Sequence, residues 1–282
     1  MKLKFLAIFS ILALLNLSCR KNNLPDFNKL ENLRVVAFQT PTPEVNPGAA
    51  VTITPIISDI QATTMTYTAS SCIDPGVSFG ADPTCAGNPT QVVIATNVAL
   101  TLPGASESWT GAANSFTVNV PGQPIIFANR SSVEQYNGVS YLIDYTLTNN
   151  LGQSVRTIKR IIVSDPAKAA KNQNPTVTNI FANGVLLNTL GPAAEVTVTT
   201  DLNLTSAENY TTQNSDGSLQ NANENLITTW FITDGKTKYY RSSGLDANVY
   251  TNADAMPAGR SSYMIAVVRD GRGGIGFVKK KF

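Results

Sequence analysis

Apolar and polar residues alternate along most of this chain in short runs, and no long stretch after residue 31 carries apolar positions at helical spacing. Leu33-Arg34-Val35-Val36-Ala37-Phe38 is the first such run. Ala50 to Ile56, Thr64 to Thr68, Gln91 to Ala95, Ser115 to Val120, Ser140 to Thr148 and Val155 to Val163 follow. These runs are rich in Val, Ile, Thr and Tyr and are bounded by Gly, Pro, Asn and Asp, which predicts β-strands joined by polar turns. Pro41, Pro43 and Pro47 lie between the first two runs. Proline removes a ladder donor, so this stretch is expected to cross between sheets or run along an edge.

The pattern breaks from Asp165-Pro166 to Asn174-Pro175. Ala167-Lys168-Ala169-Ala170-Lys171 has room there for a helical turn only, because prolines stand on both sides. The pattern then restarts, with strands expected at Thr176 to Phe181, Ala194 to Thr199, Leu226 to Thr233 and Ser261 to Arg269. A hairpin turn at Asp270-Gly271-Arg272-Gly273-Gly274 leads into Ile275 to Val278. The restart is an internal repeat: Ser140-Tyr141-Leu142-Ile143 matches Ser262-Tyr263-Met264-Ile265, and Gly152 matches Gly274 in the turn that follows each. The expected architecture is all-β, with two tandem sandwiches at 32–165 and 175–282 joined by a linker at 166–174. Asn97 to Asn114 and Asn203 to Asn225 read as long polar loops.

The N-terminus follows another pattern. Lys2 and Lys4 precede an apolar run from Phe5 to Leu17, too short for a transmembrane span, and Leu15-Asn16-Leu17-Ser18-Cys19 closes it. This layout resembles the signal and lipobox of bacterial lipoproteins, with Asn16 where the usual leucine stands. The resemblance implies a signal peptide at 1–18, lipidation of Cys19 and a polar tether over 19–31. Arg20 after the cysteine, in place of an aspartate, implies outer-membrane sorting.

Charge adds an exclusion. Of 21 basic residues, Lys2 and Lys4 leave with the signal, so 19 remain against 19 acidic ones. A balanced chain has no basic excess to hold phosphates, which argues against nucleic acid as a partner. Cys72 and Cys85 are an even pair in an exported chain and read as a disulfide, worth about 3 kcal/mol by loop-closure entropy. The metal alternative needs more ligands than two thiols, and the chain has no histidine.

That absence also removes Ser-His-Asp and Cys-His catalysis. Gly271-Arg272-Gly273-Gly274 lacks the following helix that a phosphate loop requires. Asp74, Asp82, Asp234 and Asp270 sit in turn contexts, where their side chains bond the backbone. Asp201, Asp216, Asp234 and Asp270 are too scattered for a calcium site by ligand count. No catalytic residue, cofactor or metal is expected.

Leu33 to Ala37, Pro43 to Gly48 and Val51 to Ile53 resemble the opening strand, Pro-Gly turn and second strand of tandem immunoglobulin-like domains in bacterial envelope lipoproteins. Tyr263 to Gly274 is similar to their final hairpin and to that of PKD-like modules. The resemblance implies Trp230 on a central strand, with Tyr67 in the corresponding place of the first domain. It also implies a non-enzymatic protein at the outer membrane, surface-exposed or periplasm-facing. Its expected partners are the membrane, through the N-terminal lipid, and a protein or glycan. The aromatics Trp109 and Tyr210, in the two long loops, are the candidate binding residues. The expected function is adhesion or interaction at the cell surface, with an accessory subunit of an envelope assembly as the alternative.

Overall fold

The computed structural model describes residues 27–60, 64–77, 82–101, 115–255 and 261–282. Cys19 and Trp109 lie outside the described residues. The fold is all-β, as the alternation predicts. In the first half the strands are β1 (Arg34–Gln39), β2 (Glu44–Val45), β3 (Ala50–Ser58), β4 (Thr64–Ile73), β5 (Val92–Thr101), β6 (Phe116–Asn119), β7 (Val139–Asn149) and β8 (Ser154–Val163). One sheet has the order β1-β3-β6 and the other β2-β8-β7-β4-β5. The proline-rich stretch does cross: β1 lies in the first sheet, while β2 runs parallel to β8 in the second.

The second half contains β9 (Ile180–Ala182), β10 (Val185–Leu186), β11 (Glu195–Thr200), β12 (Asn209–Gln213), β13 (Leu219–Asn223), β14 (Ile227–Ile232), β15 (Lys236–Thr237), β16 (Arg241–Ser243), β17 (Asn248–Thr251), β18 (Tyr263–Arg269) and β19 (Ile275–Lys281). Its sheets are β10-β9-β11-β17-β15, β16-β14-β18-β19 and the two-stranded β12-β13. Both halves thus divide their strands between two main sheets, antiparallel except for the β2–β8 pair, in the manner of an immunoglobulin-like sandwich. The sequence repeat falls on equivalent strands, β7 and β18, each followed by a hairpin into the last strand of its half.

Each half has its own core. In the first, Tyr145 is fully buried and its ring stacks on Tyr67 and Phe116 at 5.3 and 5.8 Å. In the second, Trp230 is buried on β14 between β16 and β18, and its indole nitrogen donates to Ser242 Oγ at 3.0 Å. Tyr67 on β4 and Trp230 on β14 therefore occupy matching central strands. The Cys72–Cys85 disulfide is formed. It packs with Leu142 and Ile158, and Asp144 holds its loop by accepting from the Cys85 amide at 3.1 Å and the Thr84 hydroxyl at 2.8 Å.

Several elements differ from the expectation. The strand expected at 91–95 continues to Thr101 past Asn97, whose φ of 50° sits in a break in the ladder to β4. The first strand of the second half begins at Ile180, not Thr176, because the Thr178 amide and hydroxyl donate to Asp201 instead of a neighbouring strand. Two short helices, α1 (Gln123–Ile126) and α2 (Ser132–Asn137), fill the crossover before β7. Ser131 caps α2, with Glu134 returning the bond.

Residues 167–171 form no helix. Lys168 reaches to Glu44 at 2.7 Å and Lys171 to Ser164 Oγ at 2.7 Å. The stretch at 203–225 is not one long loop: it carries a 3₁₀ turn at Leu204–Ser206 and the β12–β13 hairpin, so Tyr210 stands on a strand.

Residues 28–30, within the expected tether, are docked as well. The Leu30 amide donates to Ile232 O, and the Ile232 amide to Asn28 O, each at 2.9 Å, so this segment extends the outer edge of β14. Leu30 is fully buried. It joins Val36, Ala37 and Ile56 of the first half and Phe231, Tyr263, Ile265, Val267 and Ile275 of the second in one apolar cluster. A core continuous across the junction fixes the halves far more firmly than a flexible linker would.

Candidate binding site at the domain junction

The junction has two regions built from different chemistry. In the first, Glu44 on β2 accepts from Lys168 Nζ at 2.7 Å, from the Asn172 amide at 2.8 Å and from Arg272 Nη2 at 3.4 Å. Burial alone would raise the Glu44 carboxyl, but bonds from Lys168, Ser164 and Asn172 outweigh it and hold the group below its ordinary range. Arg272, in the turn before β19, also meets Glu224 at 2.9 Å and Glu208 at 3.7 Å. Its guanidinium lies 3.9 Å from the Tyr210 ring centroid.

The β12–β13 hairpin is pinned across the junction. Tyr136 OH bonds Thr211 Oγ1 at 2.9 Å, and Asn137 exchanges two bonds with Gln213. The linker is stitched to both halves by Asn172, which donates to Asp270 at 2.8 Å, and by Asn174, which donates to Thr40 O at 2.7 Å. Gly276 shows how closely β19 meets it: a Cβ there would lie 2.1 Å from Pro175 O. Tyr210 thus belongs to this lock, half-buried against Arg272.

The second region is a cleft of about 430 Å³ between β1, β8 and the end of β18. That size falls within the roughly 300–1,000 Å³ of small-molecule sites. Its walls are largely apolar: Leu33, Val36, Phe38, Val155, Ile158 and Phe231. Three cations share it. Lys159 Nζ donates to Gly273 O at 2.6 Å; Arg269 donates to Thr229 Oγ1 at 3.0 Å and to Val36 O at 3.3 Å; Arg34 donates to Phe27 O. All these acceptors are neutral.

Burial lowers the pKa of all three cations, that of Lys159 to about 8. Asp270 pulls Lys159 back up and Arg269 pushes it down. The oxygens of Asp270 are engaged by Asn172 and by the amides of Arg272 and Gly274. Beside the cleft, Phe27 packs on Tyr240 at 5.5 Å and on Phe231 at 6.1 Å, under Arg34 and Arg241.

Sequence reasoning named none of these cations. One signal was present: Lys159 stands in an otherwise alternating strand, and Arg269 closes the apolar run of β18. Among the described residues no group of three or more His, Cys, Asp and Glu could hold a metal ion. Among them, too, no helix is long and apolar enough to cross a membrane.

No protein-family model matches the chain, and no curated protein matches it. Among solved structures, the D0-D1 domain of Intimin aligns over 88% of this chain and 98% of its own, at 12% identity and a TM-score of 0.24. The YadV chaperone aligns over 87% of this chain and 99% of its own, at 8% identity and a TM-score of 0.25. Red sea bream transglutaminase aligns over 89% of this chain, at 8% identity and a TM-score of 0.27, and this chain spans 31% of that structure.

Proposed function

We propose that this chain is a non-enzymatic cell-envelope protein, anchored to the outer membrane by lipid on Cys19. Its two immunoglobulin-like sandwiches would serve adhesion, or interaction with a protein or glycan, at the cell surface. The observation that carries this reading is the docked N-terminal segment. Residues 28–30 are built into the edge of β14, so the chain leaves the body at the junction and not from a loose end. From Cys19 to Phe27 is eight positions, a reach of about 25–30 Å when extended. A lipid on Cys19 would hold a rigid two-sandwich body close to the bilayer.

The test is proteinase accessibility on intact cells, with lysed cells and a Cys19→Ala strain beside it. Cleavage on intact cells, lost when the unanchored variant is shed, is the expected result. The same short reach favours a second reading, a periplasm-facing subunit in contact with a membrane assembly. Protection until lysis would select it.

A further inference from the structure

The arginines of the described residues fall into two sets. Arg130, Arg156, Arg160 and Arg272 each pair with a carboxylate within 3.0 Å. Arg34, Arg241 and Arg269 pair with none among the described residues: Arg34 and Arg269 line the apolar cleft, and Arg241 lies over the Phe27 ring at its side. Lys159, 7% exposed, adds a fourth cation without an ion pair. Burying positive charge against an apolar wall costs free energy unless an anion answers it. For Lys168 and for the four paired arginines the answering anion belongs to the chain. Here the direct acceptors are carbonyl and hydroxyl oxygens, and the one carboxylate that acts on Lys159, Asp270, already accepts from Asn172 and from the amides of Arg272 and Gly274.

We infer that this cleft binds an anionic amphiphile: a single acyl chain lying along the wall of Leu33, Phe38, Val155 and Ile158, its carboxylate held by Arg269, Lys159 and Arg34. A free inorganic anion would leave the apolar wall unused, and a neutral tail would leave the cations unanswered. A peptide strand added to the open edge of β1 would compete with Arg269, which already donates to Val36 O. A second hollow of about 400 Å³, lined also by Arg160, Asp270 and Arg272, shares Ile158, Lys159, Arg269 and Ile275 with the cleft and leaves room on the head-group side. The inference goes beyond the envelope reading and does not depend on lipid at Cys19.

The experiment is calorimetric titration of the full chain carrying Cys19→Ser, purified without detergent. The probes are dodecanoate below its micellar concentration, acetate, dodecanol and vesicles containing phosphatidylglycerol. Saturable one-to-one binding of dodecanoate is expected, with acetate and dodecanol at least about tenfold weaker. Arg269→Gln and Lys159→Met should each weaken dodecanoate about tenfold or more, the size of one lost charge-assisted bond. Unfolding midpoints of both variants establish that they are folded, and Arg130→Gln, remote from the cleft, should bind like the parent.

Dodecanoate binding that is absent, unchanged in both folded variants, or matched by dodecanol would overturn the inference. So would binding to the vesicles alone, because it would make the cleft's rim a membrane-contact surface and not a monomer site.

Discussion

Lys168 and Lys159 are both nearly buried lysines at the same domain junction, 5% and 7% exposed, yet their surroundings are opposite. Lys168 meets Glu44 at 2.7 Å, within a network that continues through Arg272 to Glu224. Lys159 meets a carbonyl oxygen, its neighbours in the cleft are apolar side chains and two arginines, and Asp270 acts on it without a direct bond. The contrast separates two uses of buried charge. A paired charge fixes one arrangement of the halves, because removing either member strands the other. A charge answered only by carbonyl and hydroxyl oxygens still bonds across the junction, as Lys159 does to Gly273 O and Arg269 to Val36 O, and keeps part of its electrostatic potential directed into the cleft.

The largest expected effect breaks the paired side. Lys168→Met should lower stability by about 3–5 kcal/mol by leaving Glu44 buried without its main partner, read from the urea midpoint. Acid probes the same lock. The Glu44 carboxyl is held below its unfolded value of 4.5, so its contribution is complete above that pH and is lost as pH falls through the lowered folded value. Glu44→Gln should flatten that acid limb of the stability profile.

Lys159 should behave in the opposite sense. Its folded pKa of about 8 lies below the ordinary 10.5, with Asp270 opposing the shift and Arg269 adding to it. The unfolded chain therefore binds more protons between pH 8 and 10.5, and stability rises across that window as the buried charge is released. Measured against Lys159→Met, the gain should be on the order of 3 kcal/mol. At pH 7 Lys159→Met should itself be neutral or stabilising, whereas Lys168→Met is not. A parallel loss in both variants would erase the distinction between the two sides.

The smallest effect concerns Tyr210. Tyr210→Ala removes the ring beneath Arg272 and should cost about 1–2 kcal/mol, without altering dodecanoate titration. A change in that titration would show that the lock and the cleft are coupled.

Much of this fold could be read from the sequence because the relevant signals are local. Strand alternation, the Asp270–Gly274 turn and the Cys72–Cys85 pairing each span a few to a dozen residues. The matching of Tyr67 and Trp230 came from the resemblance to immunoglobulin-like domains. α2 had a visible signal too, the Ser131–Glu134 capping box, masked by the strong β pattern on either side.

The junction could not be read in this way. Its decisive contacts join Leu30 to Ile232 and Arg269 to Val36, across more than half the chain, and no local pattern encodes them. Tyr210 was assigned to a loop because Thr, Asn and Ser dominate its surroundings. Cross-strand pairing and the Arg272 stack made that polar segment a hairpin.

The docked segment at residues 28–30 also sets a mechanical path. Tension applied through the N-terminus reaches the Leu30–Ile232 and Ile232–Asn28 bonds before it reaches β1. A partner gripping the second sandwich would therefore load β14 directly, and the packing of Leu30 on Val36, Ala37 and Ile56 would share that pull with the first sandwich.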